Sequence, residues 1–345
     1  MSEPGKDIVQ WADAAMYEAQ PIKVEEGVRV TPRVFLLSAT PDPLGALAAG
    51  MRMYKGNPVY TIEEISDDER KWAWEEVMRS HLDTPLEFID LQFMVEAVSR
   101  AWTHQVVRQR VGSVFAQESL RFAVKRGFAS EVAIPPSIVN LEEGPGKIWS
   151  DTIQKIDDAY QQLVDAGIPA EDARGLLPHA VTTRMIWKTN LRALFRAAGD
   201  RLCTQAQFEW RAVMLGIMKA IAQHDEGRAY PARIVGETHD QLYAETGEYA
   251  VEWRDSDWQW ELIASPRGNS FAPVCYKLNR CPFKSELDRG CSIRGRVDLN
   301  AELGRPSEVW GSSYVMHDDV IPAINPAEWA ANPWAGITTE DNRPT

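Results

Sequence analysis

The stretch HQVVRQRVGSVFAQESLRF, residues 104–122, gathers Arg108, Arg110 and Arg121, Gln105, Gln109 and Gln117, and Ser113 and Ser119 into nineteen residues. Arginine presents its N–H donors in a rigid planar fork that matches phosphate. Glutamine both donates and accepts, which suits the polar edge of a flavin or a pyrimidine. These residue types fit the grip on a nucleotide. Taken alone they also fit a solvated helix end, where exposed Arg and Gln are ordinary.

Upstream of the stretch, Leu91, Met94, Val95, Val98, Trp102 and Val106 recur at helical spacing. That spacing predicts an amphipathic helix within 86–110, with Gln105, Arg108 and Gln109 near its C-terminal end. Farther upstream, the β-branched run VRVTPRVFLLSAT at 28–40, closed by the turn residues TPDP, predicts a strand. Downstream, apolar stripes predict helices near 151–166 (Ile153, Ile156, Tyr160, Leu163), over 180–198, and over 205–223 (Val213, Ile217, Ile221). The fold class is therefore α+β and helix-rich. The chain divides into a polar N-terminal segment 1–27, a core 28–225 and an irregular extension 226–345. In the extension Gly and Pro become frequent, and Trp253, Trp258 and Trp260 lie close together, suited to stacking on a nucleobase but expected rather to pack the extension onto the core.

With 345 residues, 44% of them apolar and 25% charged, the chain is long enough for a large core. A formal charge of −13 argues against a nucleic-acid polymer as partner, because that affinity depends on many Lys and Arg releasing counterions. A small anion held by a few local arginines is fully compatible with it. No run approaches the roughly eighteen apolar residues needed to span a bilayer, and MSEPGKDIVQWADAAMYEAQP has neither a basic leader nor an apolar h-region, so a cytoplasmic protein with no membrane partner is expected. Four cysteines, Cys203, Cys275, Cys281 and Cys291, are too few for a disulfide scaffold at this length and are free thiols or metal ligands.

SRAWTHQVVRQRVGSVFAQESLRF at 99–122 resembles the signature of the flavin-dependent thymidylate synthases, in which a His-Gln pair and an Arg-His-Arg triplet precede a Ser-x-Arg-Tyr element. Other segments resemble the same family in the same order: RVFLLSATPDP at 33–43, SHLDTPLEFIDLQF at 80–93, ARGLLPHAVTTRMIWKTNLRALFRAAGDR at 173–201 and QAQFEWR at 205–211. Ordered matches over about 28–225 are far more specific than any single motif.

The resemblance implies an FAD site formed by His81, Thr84, Arg108, Gln109 and Arg110, with Asn190 and Arg192 at the isoalloxazine or ribityl region. It implies that Gln105, Gln117, Glu118, Ser119, Arg121 and Arg174 bind a pyrimidine deoxynucleotide monophosphate. Arg201 would sit by the pyrimidine carbonyl and stabilise negative charge as C5 becomes nucleophilic. It further implies a homotetramer that methylates dUMP at C5 with methylenetetrahydrofolate as carbon donor and NADPH as reductant. Hydroxymethylation of dUMP or dCMP is an alternative outcome, and a nucleotide-binding flavoprotein without catalysis is an alternative of another class. The sequence departs from the family at Gln109, which stands where the family has histidine and cannot titrate near neutral pH. One extra residue lies between Arg110 and Ser119, another between His81 and Thr84, and Arg196 stands where a flavin-contacting His or Asn is common.

The cysteines lie outside that resemblance. Cys275, Cys281 and Cys291 recur in a Gly- and Pro-broken extension, and Cys203 follows Arg201 by two residues. Four thiols suit an iron–sulfur cluster or a zinc site, and unrelated free thiols are the other possibility. His104, His179 and His224 are scattered and are expected at the surface or at helix caps.

Overall fold

Strand β1 (Tyr17–Glu18) pairs in parallel with β5 (Ala123–Val124), Tyr17 opposite Ala123, so ordered pairing begins inside the segment expected to be merely polar. The strand expected after residue 28 forms as β2 (Arg33–Ala39). Four further strands are β3 (Asp90–Ser99), β4 (Ser113–Gln117), β6 (Thr182–Asn190) and β7 (Tyr230–Pro231), and together with β2 they form a five-stranded sheet in the order β4-β6-β3-β2-β7. The helices are α1 (Pro43–Tyr54), α2 (Asp67–Arg79), α3 (Arg100–Val106), α4 (Gly144–Asp165), α5 (Ala170–Ala173), α6 (Leu191–Arg201), α7 (Phe208–Gln223) and α8 (Trp258–Ala264). This computed structural model describes residues 17–18, 32–80, 82–135, 138, 141–203, 206–223, 230–231, 258–264, 271 and 274. The fold class is α+β, as expected.

Two expected helices are largely strand. The apolar spacing within 86–110 predicted helix, yet residues 90–99 are β3 and only Arg100–Val106 is helical. Along β3, Leu91, Phe93 and Val95 are buried while Gln92, Met94 and Glu96 are less so, which is the two-residue period of a strand. The helical count had skipped Phe93. A strand rich in apolar residues supplies enough of them to imitate three- and four-residue spacing. Over 180–198, Thr183, Met185, Trp187 and Thr189 are buried in β6, and helix begins only at Leu191. The threonines are β-branched and fit a pleated surface better than a helix.

The chain forms two compact units. The first takes in the N-terminal segment, Glu96–Gln105 and Ala116–Met185; the second takes in Pro32–Val95, Val106–Phe115 and the chain from Ile186 onward. In the first unit α4 is a 22-residue amphipathic helix whose Ile153, Tyr160 and Val164 close on Phe128, Val132 and Val181. The Tyr160 hydroxyl accepts the Lys125 N–H at 3.2 Å, and buried Asp157 accepts the Ala129 N–H at 3.1 Å, so these two polar side chains inside that core are partnered.

In the second unit Val34 and Leu36 of β2 are fully buried, and α7 packs on β2 with Met214 and Met218 buried as core. Helix α1 starts at Asp42, whose side chain accepts the Gly45 N–H at 2.8 Å ahead of Pro43 at the first turn. Helix α2 starts with a capping box between Ser66 and Glu69. Helix α8 packs on α7, fully buries Trp260, and its Gln259 side chain accepts the Leu44 N–H at 2.9 Å. Part of the extension therefore packs onto this unit, as its tryptophans suggested.

Candidate active site

In the first unit, the last residues of β3, from Glu96, run into α3 without an intervening residue. The Ser99 hydroxyl accepts the Trp102 N–H at 3.1 Å, Arg100 N–H donates to the Val181 carbonyl at 3.0 Å, and Ala101 N–H donates to the His179 carbonyl at 3.1 Å. These bonds tie the start of α3 to the segment following Arg174. Thr103 Oγ1 donates to the Arg100 carbonyl at 2.9 Å and accepts from Gln117 Nε2 at 3.0 Å, so α3 fixes the glutamine at the end of β4. Gln105 lies half-buried one turn after Ala101 on the same helix.

The segment after β4 is held by charge. Glu118 Oε2 lies 2.7 Å from Lys125 Nζ and accepts the Thr183 hydroxyl at 3.3 Å, its Oε1 lies 3.8 Å from Arg184, and Arg184 also meets Glu96 at 3.3 Å. Glu118 thus stands in an internal ion cluster. Ser119 is exposed, with its hydroxyl accepting the Arg121 N–H at 3.3 Å. Arg121 donates from Nε and Nη2 to one oxygen of Glu171, at 3.0 and 2.8 Å, and Arg174 Nε donates to the Glu171 carbonyl at 3.0 Å. One residue at α5 therefore brings both expected phosphate-binding arginines together. An exposed pair of this kind contributes at most about 1 kcal/mol, weak enough to be exchanged for a ligand. Burial, followed by the charge of Arg174, pulls the Arg100 guanidinium below its ordinary value, with Glu118 opposing.

In the second unit, Arg108 and Arg110 are exposed on the turn after α3, and the Gln109 N–H donates to the Val106 carbonyl at 2.9 Å. Gly112 follows with φ +71, and its carbonyl accepts the Asn190 N–H at 2.9 Å. A Cβ at Gly112 would lie 2.5 Å from Asn190 Nδ2, so only glycine meets both the left-handed backbone and the close approach. Asn190 Oδ1 caps α6 by accepting the Ala193 N–H at 2.9 Å. Its side-chain oxygen is thus structural.

Arg192 lies between Glu87 Oε1 and Asp83 Oδ1, the latter at 2.8 Å, and the Glu87 bond followed by the Asp83 bond raises its pKa. Thr84 is exposed at the start of the 3-10 turn Thr84–Phe88, and His81 lies outside the described residues. Arg201, at the end of α6, places its Cζ 4.8 Å from the Trp210 ring centroid, and its buried Nε has no hydrogen-bond partner among the described residues. Phe115 stacks on Trp187 at 6.1 Å between centroids, and Trp187 meets Trp210 edge-on. Cys203 is buried, while Cys275, Cys281 and Cys291 lie outside the described residues, as does His224. Among the described residues no group of three or more His, Cys, Asp or Glu could hold a metal ion, and no helix is long and apolar enough to cross a membrane.

Sequence reasoning missed Glu171, Lys125, Arg184, Arg100 and Gly112. Only Gly112, a glycine among polar turn residues, carried a local signal. His104 and His179, expected as unrelated surface residues, are both exposed but meet edge-to-face with centroids 5.5 Å apart.

Residues 35–225 match the family described as thymidylate synthase complementing protein. The flavin-dependent thymidylate synthase of Geobacter sulfurreducens is 35% identical over 195 residues, covering 55% of this chain and 83% of that protein. The flavin-dependent thymidylate synthase of Pyrococcus abyssi is 32% identical over 278 residues, covering 79% of this chain and 99% of that protein. Among solved structures, the UMP/dUMP methylase PolB of Streptomyces cacaoi, bound with 5-Br dUMP, aligns with a TM-score of 0.47 and 22% identity, covering 56% of this chain and 91% of its own. The family match spans the arginine-rich stretch and the segments flanking it. The chain accordingly belongs to the flavin-dependent thymidylate synthase family, enzymes that transfer one carbon to a pyrimidine nucleotide.

Proposed function

We propose that the protein methylates dUMP at C5, with FAD as redox cofactor, methylenetetrahydrofolate as carbon donor and NADPH as reductant. The observation that carries this proposal is the sorting of two residue sets. Gln105, Gln117, Glu118, Ser119, Arg121 and Arg174 fall in the first unit, whereas Thr84, Arg108, Gln109, Arg110, Asn190 and Arg192 fall in the second, as does Arg201, the one nucleotide-set residue outside the first unit. Arg108 and Arg110 are exposed, and neither side chain meets a carboxylate among the described residues, so the donor pair fits a flavin pyrophosphate. FAD, when bound, supplies the redox chemistry that turns the transferred carbon into a methyl group.

The chain's own residues bind and orient. Arg121 and Arg174, gathered at Glu171, hold the nucleotide's phosphate and sugar. Arg201, braced on Trp210 with its Nε turned inward, places a cation at the pyrimidine carbonyl and stabilises the negative charge that develops there. Gln109 hydrogen-bonds where the family's histidine could titrate, so it moves no proton. The active assembly in this proposal is a homotetramer, as in the family resemblance.

Incubating purified protein with dUMP or dCMP, methylenetetrahydrofolate and NADPH, followed by mass analysis of the nucleotide, tests the proposal. A methyl gain on dUMP supports it. A hydroxymethyl gain replaces it with hydroxymethylation, and an unaltered nucleotide that nevertheless binds replaces it with a non-catalytic flavoprotein. Arg201→Ala should abolish turnover with flavin retained. Metal and sulfide analysis after anaerobic purification tests whether the four cysteines hold an iron–sulfur cluster or zinc.

A further inference from the structure

The geometry points to Arg100 as a specificity-determining residue: with Arg174 it forms a two-guanidinium clamp for a phosphate monoester dianion, the 5′-phosphate of the nucleotide. This deepens the proposed function and rests on its assigning the nucleotide's phosphate to Arg121 and Arg174. No part of the family resemblance assigned Arg100 a role.

Position is the first argument. Arg100 opens α3, and the backbone bonds from Arg100 and Ala101 to Val181 and His179 fasten it beside the segment that Arg174 begins. His104 lies one turn along the same face of α3, and its ring reaches His179. Arg100 and His104 of α3 thus meet the segment Arg174 begins at Val181 and His179, and Arg174 is near enough to act on Arg100 by its charge.

Charge is the second argument. Arg100, Arg174, Arg184 and Lys125 bring four cations together, and the carboxylates interleaved with them are Glu96 and Glu118. Glu118 is already shared between Lys125 and Arg184, and Glu96 is taken by Arg184. Arg174 spends only its Nε, on a backbone carbonyl, and the side chain of Arg100 has no hydrogen-bond partner among the described residues. Over these six groups the cations exceed the carboxylates by two, and the neighbouring Arg121–Glu171 pair cancels, in a chain of net charge −13. Half-buried guanidinium groups repel each other, as the effect of Arg174 on Arg100 records. An anion removes that cost on binding. A phosphate monoester carries close to two negative charges near neutral pH and shares three terminal oxygens between two forks, whereas a carboxylate brings one charge and two oxygens.

The side chain of Arg100 is separable from its structural duty, because its anchoring bonds are made by its backbone N–H and carbonyl. Dissociation constants for dUMP and for deoxyuridine, with flavin content read by absorbance, should be measured for wild type, Arg100→Gln and Arg100→Lys. Arg100→Gln should weaken dUMP by about tenfold or more, the scale of a lost charge-assisted hydrogen bond, and leave deoxyuridine within twofold. Arg100→Lys should fall between, because a point charge lacks the planar fork, and it reads the same difference if the glutamine variant fails to fold. Equal losses for both ligands, no loss for dUMP, or lost flavin with unchanged dUMP affinity overturns the clamp. Wild-type protein that ignores dUMP refutes the proposed function itself, whereas wild type that binds dUMP alongside an unaffected Arg100→Gln refutes only the clamp.

Discussion

Replacing Lys125 with methionine tests whether the segment carrying Gln117, Ser119 and Arg121 is held in place by charge. Lys125 is 3% exposed, and its Nζ lies 2.7 Å from Oε2 of Glu118, itself 14% exposed. At that separation and an effective dielectric of about 20, the gross attraction is about 6 kcal/mol. Arg184 at 3.8 Å adds about 4 kcal/mol to the same carboxylate on the same scale. Both figures are offset by the cost of desolvating the charges, so neither is a net contribution. Methionine preserves the apolar stem and removes the cation. Glu118 then keeps Arg184 and the Thr183 hydroxyl, so the loss should fall at the low end of that for a broken buried pair, about 3 kcal/mol. Adding Glu118→Gln removes the stranded charge, and the double variant should be at least about 1 kcal/mol more stable than the summed single losses imply. Urea unfolding of the four proteins, followed by fluorescence, measures the cycle. A loss below about 1 kcal/mol for Lys125→Met, or strict additivity in the double variant, would refute the argument.

Asp42 accepts the Gly45 N–H and pairs with Arg70 at 2.6 Å; burial opposes its ionisation, but Arg70 and Gly45 prevail and hold its carboxyl below its ordinary 3.8. The folded value is the lower one, so the contribution is complete above pH 3.8 and is lost as pH falls through the folded value. Asp42→Ala should cost about 1 kcal/mol at neutral pH, and denaturation at stepped pH should show the gap to wild type closing only below that point. Ala97 lies within β3 at φ 60, so Ala97→Gly should raise stability by up to about 1 kcal/mol and Ala97→Val should lower it by more, read from thermal melting. Gly112→Ala should cost about 2 kcal/mol or more, because the new methyl meets Asn190 in a left-handed backbone, and urea unfolding would show it.

Where burial alternated with a clear period, the sequence was read correctly: α4 and α7 follow from their apolar stripes, and β2 from its β-branched run closed by Thr40-Pro41-Asp42-Pro43. The failure at β3 arises because a central strand carries apolar residues densely enough to satisfy a helical count, whereas β6 is rich in threonine and the helix expected over 180–198 begins only after it, at Leu191. The expected site residues were named through resemblance, whereas their supports were invisible. Glu171 is fifty positions from Arg121, and Glu96 is 88 from Arg184. Periodicity reports which face is buried, but a partner brought in by tertiary folding leaves no trace in local spacing.

The direct passage from β3 into α3 limits how chain length can vary in this protein and its relatives. With no residue between Ser99 and Arg100, an insertion inside α3 would swing Gln105 and His104 about the helix axis by about 100° per residue, carrying them off the face they share with Arg100 and Ala101. Just beyond Val106 the chain is turn, and there added length changes a loop rather than a heading. Of the two positions where this chain is expected to exceed the family spacing, the one between Arg110 and Ser119 lies past the end of that helix. Length variation in natural or engineered relatives should therefore accumulate after Val106, while the run from Glu96 to Gln105 keeps a fixed count.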